Sequence, residues 1–437
     1  MNFAPYILSC LVFALPLNAA DAWRAPSSAQ IDGIYPQMES LYMDLHRNPE
    51  LSLHEEKTAA KMADQLRRLG FDVTTGVGKG TGVVGVLKNG SGPIVMVRAE
   101  LDALPVPEKT GLPYASHVMT KNDLGVDVPV MHACGHDLHM AIGIGTATLL
   151  SQNKDRWRGT FIFVGQPAEE RVRGADAMLE DGLFQRFPKP DFAIAVHDTN
   201  TLPAGKVGYT SGYALANSDS VDVTIYGKGG HGAAPQDAVD PIVIAARTIV
   251  AWQTIVAREK DPLEPAVITV GSIHGGTKHN IIPDEVHLQL TVRSYKDDVR
   301  KHLLDGIARI ARGEAEAAGA PKPPLVQVSE SVPSVFNDPA LTQRIAGALK
   351  QTLGDSAVSE EPPAMAGDDF AYYGRAGVPA LEFSVGAVNP AQFAAAQKSG
   401  ETLPGPHSPF FAPDREPSLR TGVEAEMTAV LELLGKP

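Results

Sequence analysis

Three features of this sequence predict an α/β fold with a smaller α+β unit inserted in it. Short runs rich in Val, Ile and Phe alternate with helical stretches. The segment 213–330 follows a β-α-β-β-α-β rhythm, and the chain then returns to its first pattern. At 437 residues it exceeds one ordinary compact core, so two domains are expected. A hydrophobic fraction of 43% excludes a largely disordered chain.

Residues 1–22 read as a signal peptide. The apolar run 7–17 is far shorter than the ~20 residues needed to span a bilayer, and small residues including Ala20-Asp21-Ala22 follow it. No Lys or Arg precedes Arg24, which departs from an ordinary leader. The expectation is a periplasmic or secreted protein with no transmembrane anchor. Removal of Cys10 with the leader leaves Cys134 as the mature chain's single cysteine, so no internal disulfide can form.

The larger domain is assigned to 23–212 and 331–437. Extended runs at 81–87, 94–98, 160–165 and 192–197 alternate with helices at about 137–150 and 174–183, which predicts a mainly parallel sheet flanked by helices. In the inserted segment, 218–226 alternates as a strand. Asp240-Pro241 then supplies an N-cap and a first-turn proline for a helix with Ile242, Val243, Ala246, Ile249 and Val250 at helical spacing. Strands at 267–273 and 285–294 follow. A second helix places Val299, Leu303, Ile307 and Ile310 on one face, and 325–328 closes a ferredoxin-like unit. Asp338-Pro339 opens a further helix, 380–385 is a buried strand, and 418–434 is the last helix. The tract 387–406 has no clear period and is expected to be a surface loop.

A formal charge of −13, with 38 Lys plus Arg against 51 Asp plus Glu and no basic cluster, argues against nucleic acid as a partner. The densest chemical signal is His132-Ala-Cys-Gly-His-Asp-Leu-His139 at a strand-to-helix junction. Thiolate and imidazole are donors that Zn²⁺ and other late divalent ions select, and the one-residue gap lets Cys134 and His136 point into one site. The alternative is a helix start with solvated histidines and a small buried cysteine. Glu169 and Glu170 directly follow a strand, where ligands gather in open α/β sheets. Adjacent carboxylates need a nearby cation or full hydration to stay ionised, so a charged surface loop is the competing reading. His197 ends a strand and His407 lies in a proline-rich loop; each alone reads as an ordinary histidine and gains weight by convergence. His231 sits in a glycine-rich turn whose lysine spacing excludes a phosphate loop, and Asn280 is a polar group where a strand begins.

Taken in order, several segments carry a resemblance over residues 40–437: Arg98-Ala-Glu-Leu-Asp-Ala-Leu-Pro105, the Cys-Gly-His segment, Gln166-Pro-Ala-Glu-Glu170, the glycine-flanked His231, Asn280-Ile-Ile-Pro283, Gly367-Asp-Asp-Phe370 and His407-Ser-Pro409. The chain resembles the binuclear-metal amidohydrolases related to aminoacylase and carboxypeptidase G, and within them the hippurate and auxin-conjugate (IAA-amino acid) hydrolases. The resemblance implies two divalent metal ions (Zn, Mn, Co or Ni) held by Cys134, His136, Glu170, His197 and His407. It implies Glu169 as the general base, taking a proton from the attacking water and passing it to the leaving amine. His231 would stabilise the oxyanion, in relatives often across a dimer interface formed by the inserted domain. Asn280 would contact substrate and Asp102 would support the metals. The implied substrate is a small N-acyl amino acid cleaved at its amide bond, and a homodimer through the inserted domain is the implied assembly. Glu100 stands where Asp is usual, Gln236 where His is more frequent, and 387–406 resembles an insertion. Competing functions are a dipeptidase or carboxypeptidase on the same scaffold, a non-catalytic metal- or ligand-binding protein, and a thiol amidase with Cys134 as nucleophile.

Overall fold

The computed structural model describes residues 24–78 and 80–435. The leader expected at 1–22 lies outside them. Among the described residues, no helix is long and apolar enough to cross a membrane.

An eight-stranded sheet forms the larger layer. Its order is Asp72–Val77, Gly82–Asn89, Gly159–Gln166, Ile94–Glu100, Phe192–Pro203, Ala380–Val388, Val207–Tyr209 and Val358–Glu360. The central pairs around Ile94–Glu100 and Phe192–Pro203 are parallel, and antiparallel pairs flank them. One face packs on helices Ser28–Arg47, His136–Gln152 and Arg415–Leu434. Helix His136–Gln152 is buried on every side through Leu150, which is why its sequence is apolar throughout instead of striped.

The second sheet runs Ala266–His274, Glu285–Ser294, Asn217–Tyr226 and Leu325–Val332, all antiparallel. Helices Pro241–Thr254 and Asp297–Ala317 pack on it around Val223, Trp252, Leu288 and Ile307, a core separate from that of the large sheet. The indole N–H of Trp252 donates to the carbonyl of Ile307 at 3.0 Å and fastens the two helices together. Asp240 caps the first of them by accepting the N–H of Ile242, a contact of the kind that contributes about 1 kcal/mol. The two sheets are joined by a narrow ribbon in which Gly212–Leu215 pairs with Val335–Asn337.

Two elements differ from the sequence reading. The tract 387–406 is not a loop throughout: its first residues continue strand Ala380–Val388, and Pro390–Ser399 is a helix capped by Asn389. That helix shows no apolar period because Ala396 is its single buried residue; the cap followed by proline was the legible signal. The helix expected over 174–183 is two short ones, Gly174–Glu180 and Leu183–Arg186, divided at Gly182, whose φ of 87° ends the first.

Candidate metal centre

The site lies at the carboxyl ends of the parallel strands. Asp102 follows Ile94–Glu100, the Glu169-Glu170 pair follows Gly159–Gln166, and His197 lies within Phe192–Pro203. The Glu169–Arg171 turn is bounded by two non-glycine residues in the left-handed region, Ala168 (φ 51°) and Val172 (φ 49°). Such backbone persists only when its surroundings over-determine it. Here Asp102 accepts the N–H of Glu169 at 3.1 Å and of Glu170 at 3.0 Å, and Glu55 accepts that of Ala168 at 2.9 Å.

Cys134, His136 and Glu170 present donor atoms within 4.8 Å of one another. His197 Nε2 lies 3.6 Å from Cys134 Sγ, and His407 Nε2 lies 3.4 Å from Glu170 Oε2. The five residues from distant stretches therefore meet. Both His136 and His197 direct Nδ1 to a backbone carbonyl, of Asp102 and Asp198, each at 2.8 Å. This fixes the tautomer that leaves Nε2 free to ligate. His136 Nε2 and Glu170 Oε1 are buried with no hydrogen-bond partner and face each other across 3.9 Å. Burial and the carboxylates of Glu170, Glu169 and Asp198 push the Cys134 thiol up, so its thiolate needs a cation beside it. Against a burial that alone would lower it, Asp102 and Glu100 raise His136 to about 10. A thiol, imidazoles and a carboxylate with orphaned buried donor atoms fit divalent cations.

The remaining histidines of the Cys-Gly-His segment play other parts. His139 donates Nδ1–H to Glu100 at 2.9 Å and accepts the N–H of Asp198 at Nε2 at 2.9 Å, so neither nitrogen is free. His132 is buried with both nitrogens unpartnered, and burial pushes it down to about 4. Gly135 between Cys134 and His136 has φ 77°, and a Cβ there would sit 2.1 Å from Asp198 Oδ2. Only glycine lets that carboxylate seat against the start of helix His136–Gln152, whose dipole favours a negative charge.

Glu169 Oε2 lies 3.8 Å from His136 Nε2. Burial, then Asp368, Glu170 and Asp369, raise its carboxyl well above the ordinary range. Glu169, Asp368 and Asp369 also form an acidic cluster, but Arg98 binds both aspartates, which makes this a buried ion network.

A cavity of about 540 Å³ opens over the site. Cys134, Glu169, Glu170, His197 and His407 line it from the large sheet, and Ser218, Ser220, Arg293 and Glu330 line it from the inserted segment. His231 and Asn280 do not line it in a single chain. They lie together and exposed on the inserted segment, where His231 pairs with Ile281 and the N–H of Gly232 donates to the carbonyl of Asn280 at 2.9 Å. The sequence reading gave no role to Arg293, Asp198 or Glu382, which also line the cavity. For Glu382 a signal existed, a lone acid in an otherwise apolar buried strand.

Fold and site together define a hydrolytic enzyme built for divalent metal ions. Residues 96–430 match the peptidase family M20/M25/M40, and the chain belongs to that family. It is 36% identical to thermostable carboxypeptidase 2 of Saccharolobus solfataricus over 396 residues, 90% of this chain and 94% of that one. It is also 36% identical to the hippurate hydrolase of Campylobacter jejuni over 342 residues, 77% and 85% of the two chains. The solved structure of a dinuclear metal-binding peptidase from Bacillus subtilis superposes with a TM-score of 0.71 at 28% identity, covering 92% of this chain and 99% of that one.

Proposed function

We propose that the enzyme hydrolyses the amide bond of N-acyl amino acids, using two divalent metal ions held by Cys134, His136, Glu170, His197 and His407. The observation that carries this reading is the pair of buried, unpartnered donor atoms, His136 Nε2 and Glu170 Oε1, with the Glu169 carboxylate beside them. Bound there, the ions would polarise the amide carbonyl and make water nucleophilic near neutral pH. Glu169 takes a proton from the attacking water as the C–O bond forms and delivers it to the amine nitrogen as the C–N bond breaks. The products are a carboxylic acid and a free amino acid. Arg293 reaches the cavity half-buried, its Nη1 donating to the carbonyl of Met365 at 3.3 Å. Among the described residues it is the one Arg or Lys lining that cavity, and it supplies the charge that orients the substrate's α-carboxylate. Asp102 holds the Glu169-Glu170 turn in place.

The same proposal includes a homodimer that brings His231 and Asn280 to the partner's cavity. Strand Ala266–His274 is an edge strand, and helix Pro241–Thr254 exposes Val243 (55%) and Val250 (71%) beside the sheet; an open edge with apolar flanks is a template for pairing.

The test is metal-stripped protein reconstituted with Zn²⁺, Mn²⁺, Co²⁺ or Ni²⁺ and offered hippurate, N-acetyl amino acids and simple dipeptides. Metal-restored amidase activity is expected, and Glu169→Gln is expected to lower kcat about 10²–10⁴-fold with metal content unchanged. Activity that survives chelation but not thiol alkylation would instead identify Cys134 as nucleophile. For the dimer, mixing His231→Ala with Glu169→Gln protein is expected to restore part of the activity neither has alone.

A further inference from the structure

A guanidinium has five N–H donors, and Arg98 commits all five. Nε donates to Gln166 Oε1 at 3.0 Å, and Nη1 to Glu100 and to Asp368 Oδ2 at 3.1 Å. Nη2 donates to Asp368 Oδ1 at 2.6 Å and to Asp369 Oδ1 at 3.0 Å. Three carboxylates thus share one cation.

Strand register brings a fourth acid to the same face. Arg98 pairs with Ala195, and Ala195 pairs with Glu382. Glu382 therefore stands two strands from Arg98, about 10 Å at ordinary strand spacing, with Ala195 between them in the ladder. Glu382 is 9% exposed, its Oε2 is buried and accepts no hydrogen bond, and the residue lines the cavity over the metal centre. Burial and then Asp368 push its carboxyl well above the ordinary range, although Arg98 and His139 act in the opposite direction from a distance. Arg98 has no donor left to give it. The partner that Glu382 lacks can come from the cavity.

We propose that Glu382 is a specificity residue of the hydrolytic site and receives a primary ammonium group carried by the substrate. The inference rests on the amide-hydrolase reading and narrows it: the preferred amides bear a free amine in one of their two halves. A further metal ion is a poorer occupant, because both oxygens of Asp368 are committed to Arg98 and a divalent ion needs several ligands. An ammonium needs one carboxylate and neutral acceptors. Ser384, two residues along the strand on the same face and also lining the cavity, offers a hydroxyl. With Arg293 across the cavity for a carboxylate, the site suits a zwitterion.

The experiment compares substrates of matched shape in the metal-loaded full chain: glycyl-alanine against propionyl-alanine, and Nα-acetyl-lysine against N-acetyl-2-aminoheptanoate. One ammonium-bearing member is expected to exceed its uncharged match in kcat/KM by about 10-fold or more, the scale of a charge-assisted hydrogen bond. Glu382→Gln should erase that preference while leaving the uncharged substrates within about 2-fold. Glu382→Met, which keeps the volume without the charge, serves as the second variant should the first fold poorly. Binding of the same four compounds to Glu169→Gln, with and without Glu382→Gln, is measured by calorimetry. Tighter binding of an ammonium compound that is lost in the double variant supports the subsite even if the wild type cleaves nothing, in which case only the amidase reading fails. Equal handling of both members of each pair, or a preference that survives both substitutions, overturns the inference.

Discussion

The carboxylate of Asp102 accepts the backbone N–H of Glu170 at 3.0 Å, tying the end of one parallel strand to the turn that follows its neighbour. It also accepts the N–H of Glu169 at 3.1 Å and the hydroxyl of Ser52 at 2.6 Å, and His136 Nδ1 lies 3.6 Å away. Asp102→Ala frees the turn and is expected to weaken metal binding about 10–100-fold, the usual scale for a group that orients ligands. Asp102→Asn keeps one acceptor and should lose less. Calorimetric titration of metal into stripped protein measures both, and wild-type affinity in the alanine variant would contradict the role.

Gly135→Ala adds a Cβ 2.1 Å from Asp198 Oδ2 at a backbone φ of 77°. The left-handed conformation and the overlap together are expected to destabilise the fold by about 2–4 kcal/mol, read from urea unfolding of the metal-free protein. Asp198→Gly in the same chain should recover the steric part only. A single variant as stable as wild type would show that the carboxylate moves aside freely.

His46 is buried between Asp137 Oδ2 at 2.6 Å and Glu108 Oε1 at 3.0 Å. Although burial opposes it, Asp137 and Glu108 raise its pKa to about 10, and His46 in turn helps lower both acids. The histidine's contribution is complete below its ordinary pKa of about 6.5 and is lost as pH rises through 10. The contribution of the two acids is present above about pH 4 and is lost on acidification. His46→Gln leaves two acids facing each other and should cost about 3–5 kcal/mol near pH 6. Urea midpoints across pH 5–10 should show that deficit shrinking toward the alkaline end.

Burial pushes the Glu426 carboxyl, inside the last helix, up to about 8. An acid raised in the fold stabilises fully below its ordinary pKa and loses that contribution as pH rises through the folded value. Glu426→Gln removes the titration. The variant should match wild type at pH 4 to 5 and exceed it at pH 8 by up to a few kcal/mol. A difference in thermal midpoint that does not change with pH would contradict this.

The Cys134–His139 segment was legible because a thiol and three imidazoles fall within eight residues at a helix start. Glu170, His197, inside strand Phe192–Pro203, and His407, in a loop, joined it as ligands only through the family resemblance. The fold class was legible for a local reason: Val- and Ile-rich runs and Asp-Pro helix starts announce themselves without tertiary information. Arg98, Asp368 and Glu382 were not legible as a unit. Their relation depends on strand order, in which Ile94–Glu100 and Ala380–Val388 flank Phe192–Pro203 although some 280 residues separate Arg98 from Glu382. Helix Pro390–Ser399 escaped because a helix with almost no buried face leaves no apolar stripe to read.

Leu215 and Val335 are ladder partners in the ribbon between the two sheets, so the excursion through the second sheet leaves and returns about 5 Å apart, one strand spacing. A short turn could bridge that gap. An ancestral gene could therefore have gained, lost or exchanged the whole excursion without rethreading the larger sheet, and a single chemical chassis could acquire new covers while the strand ends beneath them stayed as they were.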